Sequence, residues 1–134
     1  MAPDAYTLPQ LSRALGAPYR TLHSWVERDL VAPSIHRTKG TGRANLFDAN
    51  DAVTVCVLLE LRKSGVPYAL LEQAAAKLRE RETLAEPVYV LVNGKVDIVT
   101  DVEEAAAALG RGGVTVAYHT GEAVRRAAEI TRSA

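Results

Sequence analysis

The stretch GAPYRTLHSWVERDLVAP, residues 16–33, carries the strongest structural signal in this chain of 134 residues. Pro18 suits the first turn of a helix, where its missing N–H would be unpaired in any case. Leu22, Trp25 and Val26 recur at the spacing of one helical face and form an apolar anchor. Polar side chains that can reach outward occupy the rest of the helix: Tyr19, Arg20, Thr21, His23, Ser24 and Arg28. The pattern predicts a helix over 17–30 that is held by one face and contacts something polar with the other.

A shorter helix is predicted immediately before it, over TLPQLSRALG, residues 7–16. Thr7 suits the N-cap with Gln10 at the capping-box position, and Gly16 suits the C-terminal end. Two helices joined by a short turn that contains glycine form a helix-turn-helix. A helix fits the DNA major groove, where outward polar side chains reach bases and phosphates. The spacing alone leaves two alternatives, a DNA-binding unit and an ordinary helical hairpin.

The segment VAPSIHRTKGTGRANLF, residues 31–47, is rich in residues that interrupt helices and is predicted to be a loop or a β-ribbon. It carries three basic residues around KGTGR, namely Arg37, Lys39 and Arg43. Two further helices are predicted after it. The first covers 48–65, with Asp48 as its N-cap, and the second covers 67–84, with Pro67 in its first turn.

The pattern changes after RERETLAEP, and we place a domain boundary near 81–87. PVYVLVNGKVDIVT, residues 87–100, has two β-branched runs around Asn93-Gly94, which is a strong hairpin signal. A helix over 101–110, a strand near 114–118 and a final helix follow. The predicted fold class is α+β, with a mostly α-helical domain over 1–81 and a small ββαβα domain over 87–134. We expect residues 6–79 to contain the whole helical core and the ribbon, so that a chain ending near Arg81 folds without the tail.

Composition and charge narrow the class of protein. With 48% hydrophobic and 24% charged residues, the chain is typical of a folded domain. A single Cys cannot form an internal disulfide, and we see neither a signal peptide nor an apolar run long enough for a membrane, so we expect a cytoplasmic protein. Residues 1–81 carry a net charge of +3 and residues 82–134 a net charge of −3. This asymmetry is compatible with a nucleic-acid-binding module joined to a second part.

We expect no enzymatic activity, no metal site and no cofactor. His23 and His36 have no nearby Cys or paired carboxylate at metal-ligand spacing, and His119, near the turn at Gly121, is interpreted as a surface turn residue rather than a ligand site. Cys56 lies in the apolar run VTVCVLLEL and is interpreted as a small buried hydrophobe. The glycine-rich GRGG, residues 110–113, lies between a helix and a strand, whereas a phosphate loop leads into a helix.

Residues 6–79 resemble the DNA-binding domain of the MerR (mercury-resistance regulator) family, a winged helix-turn-helix. The similarity runs through YTLPQLSRALGAPYRTLHSWVERDLVAP, GTGRANLFDANDAV and LLELRKSGVPYALLEQA. The run TLHSWVERDLVAP is the most specific, because it keeps the family's Thr-Leu, aromatic, Glu-Arg, Leu and Pro in register. The resemblance implies a recognition helix over 18–28 in the major groove and a basic wing over 37–43 on the DNA backbone.

The resemblance also implies roles for individual residues. Tyr19 and Arg20 would contact bases or phosphates, and Trp25 would pack at the base of the recognition helix. The expected DNA-binding residues are Tyr19, Arg20, Thr21, His23, Ser24, Arg37, Lys39 and Arg43. The chain departs from the family at His23, where Arg is common, at Asp29, where Gly is common, and in a wing longer than the shortest examples.

A larger departure follows the helical region, where no sustained apolar heptad continues into the family's usual dimerising coiled coil. We predict a sequence-specific transcription regulator that binds double-stranded DNA, but the family's usual route to dimerisation and its promoter-untwisting mechanism do not carry over to this chain. The strands VYVLV and VTVAY are apolar at successive positions, so both faces of their sheet, or a paired edge, must be shielded from water. The tail is therefore expected to form a homodimer, to bind a protein partner or to hold a ligand. The alternative is an antitoxin-type protein, whose head autoregulates transcription and whose tail binds a toxin.

Overall fold

The computed structural model describes residues 5–35 and 45–133. Four helices come first, followed by a β-hairpin, a helix, a strand and a last helix. This order agrees with the α+β class predicted from the sequence. The elements are α1 (Leu8–Leu15), α2 (Tyr19–Glu27), α3 (Ala49–Lys63), α4 (Tyr68–Arg79), β1 (Tyr89–Val92), β2 (Val96–Val99), α5 (Val102–Arg111), β3 (Val116–His119) and α6 (Gly121–Ser133).

The two N-terminal helices form where their end signals place them. Thr7 and Gln10 make the predicted capping box, in which the Gln10 Oε1 accepts the Thr7 N–H at 2.8 Å and the Thr7 Oγ1 accepts the Gln10 N–H at 3.3 Å. Gly16 ends α1 with a φ of 65°, a left-handed conformation that glycine adopts without steric cost. Only residues 16–18 separate α1 from α2, and the predicted helix-turn-helix connection is confirmed.

The helix α2 is shorter than predicted, because the chain reverses direction at Asp29. This residue has a φ of 63°, in the region that favours the glycine common at this position in the family that the sequence resembles. The N–H groups of Leu30 and Val31 return to the Trp25 carbonyl at 2.9 and 3.3 Å. The reversal buries both side chains against the helical core.

The helix α4 also ends earlier than predicted, at Arg79 rather than near 84. Beyond it the chain turns so that Leu84 becomes buried. Asn50 on α3 holds this turn, since its Oδ1 accepts the Leu84 N–H at 3.0 Å and its Nδ2 donates to the Glu82 carbonyl at 3.3 Å. The tertiary contact therefore ends a helix that the residue pattern alone would continue.

The C-terminal part contains a three-stranded antiparallel sheet in the order β2-β1-β3. The hairpin turns at Asn93-Gly94 as predicted, and the register pairs Val90 with Ile98 on β2 and with Tyr118 on β3. One face of the sheet packs into the core of the protein. The other face is partly covered by α5, which contacts β1 and β2. The predicted ββαβα order is confirmed.

The buried side chains of the two parts form one continuous cluster. The helix α6 packs along α3, and β2 lies against α4, where the Gln73 Oε1 accepts the Val96 N–H at 3.0 Å. Residues 6–79 therefore do not contain the whole core, contrary to the expectation from sequence. The division of the chain into a domain over 1–81 and a domain over 87–134 stays a prediction.

The predicted wing falls outside the described residues, and with it Arg37, Lys39 and Arg43. The backbone on either side of this segment is joined by a hydrogen bond from the Ile35 N–H to the Leu46 carbonyl at 3.1 Å. Within the described ranges, none of the helices is long and apolar enough to cross a membrane.

Candidate nucleic-acid interface

The helix α2 is anchored by one face and exposed on the other, as its sequence pattern predicts. Leu22, Trp25 and Val26 are each at most 4% exposed. The side chain of Tyr19 is 49% exposed, and Arg20 and His23 are exposed beside it. The apolar anchor fixes the orientation of the helix, so these three side chains project from the surface together.

A row of side chains one turn apart runs along this exposed face. The rings of Tyr19 and His23 stack with centroids 5.7 Å apart, and the His23 Nε2 lies 3.9 Å from the Glu27 Oε2. The His23 and Glu27 side chains are about half exposed, so solvent weakens this ion pair when the imidazole is protonated. The stack limits the directions in which both rings can point.

Thr21 and Ser24, which were predicted to face outward, are half-buried and line a shallow groove beside α2. The opposite wall of the groove comes from the end of α3 and the start of α4. Its polar lining residues are Arg20, Thr21, Ser24, Arg28, Arg62 and Tyr68. None of the described residues that line it carries a carboxylate, so the groove is electropositive.

The start of α4 lies beside this groove. The helix begins after Pro67 and has no side-chain cap, so its first N–H groups have no acceptor within the helix. They form the positive end of the helix dipole. The guanidinium of Arg28 lies over the ring of Tyr68, 3.8 Å from the ring centroid, and is thereby held at the groove. Arginines, hydroxyls and a helix N-terminus together suit a phosphate oxygen.

Contacts from α4 and α3 also fix the segment that follows α2. The Arg79 Nη2 donates to the Leu30 carbonyl at 3.1 Å, near the point where the chain reverses. On the other side of the reversal, the Ser34 N–H and Oγ–H donate to the Asp51 carboxylate at 2.9 and 2.7 Å. Burial raises the pKa of Asp51, and the hydrogen bonds from Ser34 and the Asp48 N–H oppose that shift. The segment that leads toward 36–44 therefore starts from a fixed position.

Sequence reasoning missed Arg62 and Tyr68 and left Arg28 out of the expected site. The sequence contains a local signal, because Arg62 lies in the last turn of α3 and Pro67 immediately precedes α4, so a basic side chain and a helix N-terminus are close in the chain. It contains no signal that this corner lies beside α2, which depends on the packing of α3 and α4. Arg37, Lys39 and Arg43 lie outside the described residues, so the expected wing contacts remain predictions.

The side chains considered for chemistry lie apart from this groove. Cys56 is buried on α3, where burial raises the pKa of its thiol, in agreement with its interpretation as a small hydrophobe. The ring of His119 contacts that of Tyr89, with centroids 4.7 Å apart and the ring planes tilted by 48°. Burial is the main cause that raises the pKa of Tyr118 to about 12. In residues 5–35 and 45–133, no three His, Cys, Asp or Glu side chains are grouped so that they could hold a metal ion.

Comparison with known proteins places similarity in the same part of the chain. The model of a family described as the MerR HTH family of regulatory proteins matches residues 6–78, more than half of the chain. Three curated relatives, one from Mycobacterium bovis and two from strains of Mycobacterium tuberculosis, are named as uncharacterized HTH-type transcriptional regulators. Each is 29% identical over 76 residues, which cover 57% of this chain and 34% of the relative. The chain thus matches about a third of the length of these relatives.

Proposed function

This chain belongs to the MerR family of helix-turn-helix regulatory proteins, and we propose that it is a non-enzymatic transcription regulator that binds a specific double-stranded DNA sequence through α2. The observation that carries the proposal is the separation of the two faces of this helix. Leu22, Trp25 and Val26 are buried, while Tyr19, Arg20 and His23 project together from the opposite side. A helix held in this way can enter a major groove with its polar face leading.

Within this proposal, Arg20 and Tyr19 read base edges or the phosphates beside them. Arg20 is the only one of the two that can make a bidentate contact to the acceptor pair on guanine. His23 follows one turn after Tyr19, so its stacked ring lies on the same approach to DNA. Thr21 and Ser24, which are half-buried in the groove, would contribute hydroxyls to the DNA backbone rather than base contacts.

The groove formed by Arg28, Arg62 and Tyr68 would hold one backbone phosphate and thereby set the register of α2 on the duplex. Two observations support this proposal. None of the described residues that line the groove carries a carboxylate, and α4 begins beside it without a side-chain cap. Contacts to phosphate position a protein without reading sequence. Variants of these residues are therefore expected to lower affinity for all DNA sequences by a similar factor.

The wing contacts complete the proposed site. Arg37, Lys39 and Arg43 lie in a glycine-containing segment, and this composition supports contact with the DNA backbone or the minor groove. The structure fixes the residues that flank the segment through the pair Ile35 and Leu46. The three basic side chains would add to affinity more than to specificity.

We propose that the C-terminal part binds a second copy of this chain or another protein. The strand β3 is at the edge of the sheet, with Ala117 and His119 exposed, and α5 leaves Val102 and Leu109 exposed by 61% and 52%. Sedimentation of the full chain distinguishes a monomer from a dimer. The comparisons give no support to the antitoxin alternative.

Selection of bound duplexes from a random-sequence library tests the proposal. We expect a recurring sequence, to which Arg20→Ala binds more weakly by about 1–3 kcal/mol, while its affinity for unrelated DNA changes less. Arg111→Ala is the matched control, because it removes the same charge from the exposed end of α5. If the library yields no preferred sequence, or if Arg20→Ala keeps both affinity and preference, the assignment of α2 as the reading element is wrong.

A further inference from the structure

Arg126 on the last helix reaches back to the end of the first helix. Its Nη2 donates to the Leu15 carbonyl at 3.0 Å, and its Nη1 lies 3.7 Å from the Cys56 Sγ on α3. Leu15 and Arg126 are 111 residues apart in the sequence. The guanidinium is half-buried at this junction, so its charge-assisted bond is less screened than one on the surface.

The acceptor of this bond, the Leu15 carbonyl, lies at the end of α1, where a small shift of the backbone would change the position of α2. Leu15 is the last residue of α1, and helix-end carbonyls such as this one have no partner within the helix. The turn after it is held by bonds to one residue: the Ala17 N–H donates to the Ser12 carbonyl at 3.0 Å, and the Ser12 Oγ donates to the Ala17 carbonyl at 2.5 Å. The helix α2 starts right after this turn, behind Pro18 and without a side-chain cap.

The position of Arg126 is fixed by the packing of α6 rather than by its own flexible stem. Ala123, Ala127 and Ile130 are buried on one side of the helix, at the spacing of a helical face. The two alanines let α6 approach α3 closely. Arg126 lies on the same helix between these buried positions, and its guanidinium passes Cys56 before it reaches α1.

We propose that Arg126 is a positioning residue for DNA binding. It holds the turn between α1 and α2, so that α2 is presented at a fixed angle and DNA affinity depends on the docking of the tail helix α6. The inference rests on the proposed DNA-binding function. It assigns to the tail a role within the binding unit itself, separate from any role in dimerisation or partner binding.

Arg126→Ala tests the proposal, with Arg125→Ala as a matched control. Arg125 is the neighbouring residue and carries the same charge, but it pairs with Glu122 and Glu129 on the exposed side of α6. Two measurements are made on each full-length protein. The first is amide hydrogen exchange without DNA, compared at residues 16–17 and in the central strand β1. The second is affinity for the selected duplex at one salt concentration.

We expect Arg126→Ala to speed exchange at Gly16 and Ala17 by at least roughly tenfold, the lower limit for loss of one charge-assisted hydrogen bond, with little change in β1. Its DNA affinity is expected to fall by at least about fivefold, the lower range of coupling between sites. Arg125→Ala should match the wild type in both measurements. Equal exchange at residues 16–17 in the two variants overturns the proposal, as does a change of the same size throughout the fold.

The exchange measurement separates this inference from the proposed function. If the wild-type protein binds no DNA, exchange at Gly16 and Ala17 still shows whether Arg126 holds the turn. If Arg126→Ala fails to fold, Arg126→Lys decides, because lysine keeps the charge but cannot reproduce the two-point contact of the guanidinium. An exchange rate at residues 16–17 and a DNA affinity between those of the wild type and of a protein without this contact support the proposal. If both the exchange rate and the affinity of Arg126→Lys equal those of the wild type, the proposal is overturned.

Discussion

The guanidinium of Arg28 lies 3.8 Å from the centroid of the Tyr68 ring and so joins the end of α2 to the start of α4. These residues are forty positions apart, and both line the electropositive groove. The hydroxyl oxygen of Tyr68 is buried and has no hydrogen-bond partner among the described residues. The ring, rather than the hydroxyl, is therefore the part of Tyr68 that holds Arg28.

The first prediction separates the ring of Tyr68 from its hydroxyl. Tyr68→Ala removes the surface on which Arg28 rests, and we expect DNA affinity to fall by about 0.5–1 kcal/mol for all sequences. Tyr68→Phe keeps the ring and removes an unpartnered polar atom, so affinity should stay within about twofold. Fluorescence anisotropy with a labelled duplex measures both. If Tyr68→Phe loses as much affinity as Tyr68→Ala, the hydroxyl itself contacts DNA.

The second prediction concerns the anchor of α2. Trp25 is 4% exposed, and Trp25→Ala should lower the free energy of unfolding by about 3–5 kcal/mol because it leaves a large cavity. Urea denaturation followed by circular dichroism measures the loss. Trp25→Phe fills most of the cavity and serves as the control. A Trp25→Ala protein as stable as the wild type would mean that this side chain does not anchor the helix.

The third prediction concerns the wing. Replacing Arg37, Lys39 and Arg43 together with Ala should lower affinity for specific and random DNA by nearly the same factor. The salt dependence should also flatten, by about 0.9 in the log–log slope for each phosphate that the variant no longer neutralises. Titrations at several salt concentrations give the slope. An unchanged slope would show that these residues do not approach the backbone.

The fourth prediction concerns removal of the tail after Arg81. The helix α3 is buried along most of its length, and α6 covers one of its sides. A fragment ending at Arg81 should therefore be less stable than the full chain, by roughly 1.5–3 kcal/mol for each large aliphatic side chain that becomes exposed. Thermal denaturation of both proteins makes the comparison. Equal stability would show that residues 1–81 form a self-sufficient domain.

The fifth prediction concerns Cys56, whose buried thiol has a raised pKa. Alkylation of the native protein by iodoacetamide should be slow near about pH 8 and fast in denaturant, because the thiolate is the reactive form. A raised folded-state pKa means that the stability from Cys56 is fully present below its ordinary value of 9.0 and is lost as pH rises through the folded value. Urea denaturation at alkaline pH should show less of this loss in Cys56→Ala. Rapid alkylation of the native protein would contradict the buried position.

Elements whose signals are local could be predicted from the residue types alone. The capping box of Thr7 and Gln10, the turn at Gly16 and the hairpin at Asn93-Gly94 depend on residues within a few positions of each other. The spacing of Leu22, Trp25 and Val26 likewise determined which side of α2 is buried, since a helix repeats every 3.6 residues. These short-range interactions are almost fully specified by the adjacent residue types.

The contacts between distant segments could not be predicted in this way, because they depend on how the helices pack. The contact of Arg28 with Tyr68 and the bond from Arg126 to Leu15 join residues that no local pattern relates. Each depends on the angle at which α3 packs against α4 or α6, and that angle follows from the shapes of many buried side chains at once. The helix α6 lies beyond the boundary that the change of pattern after RERETLAEP predicts near 81–87, and the packed structure places it along α3, with Arg126 at the end of α1.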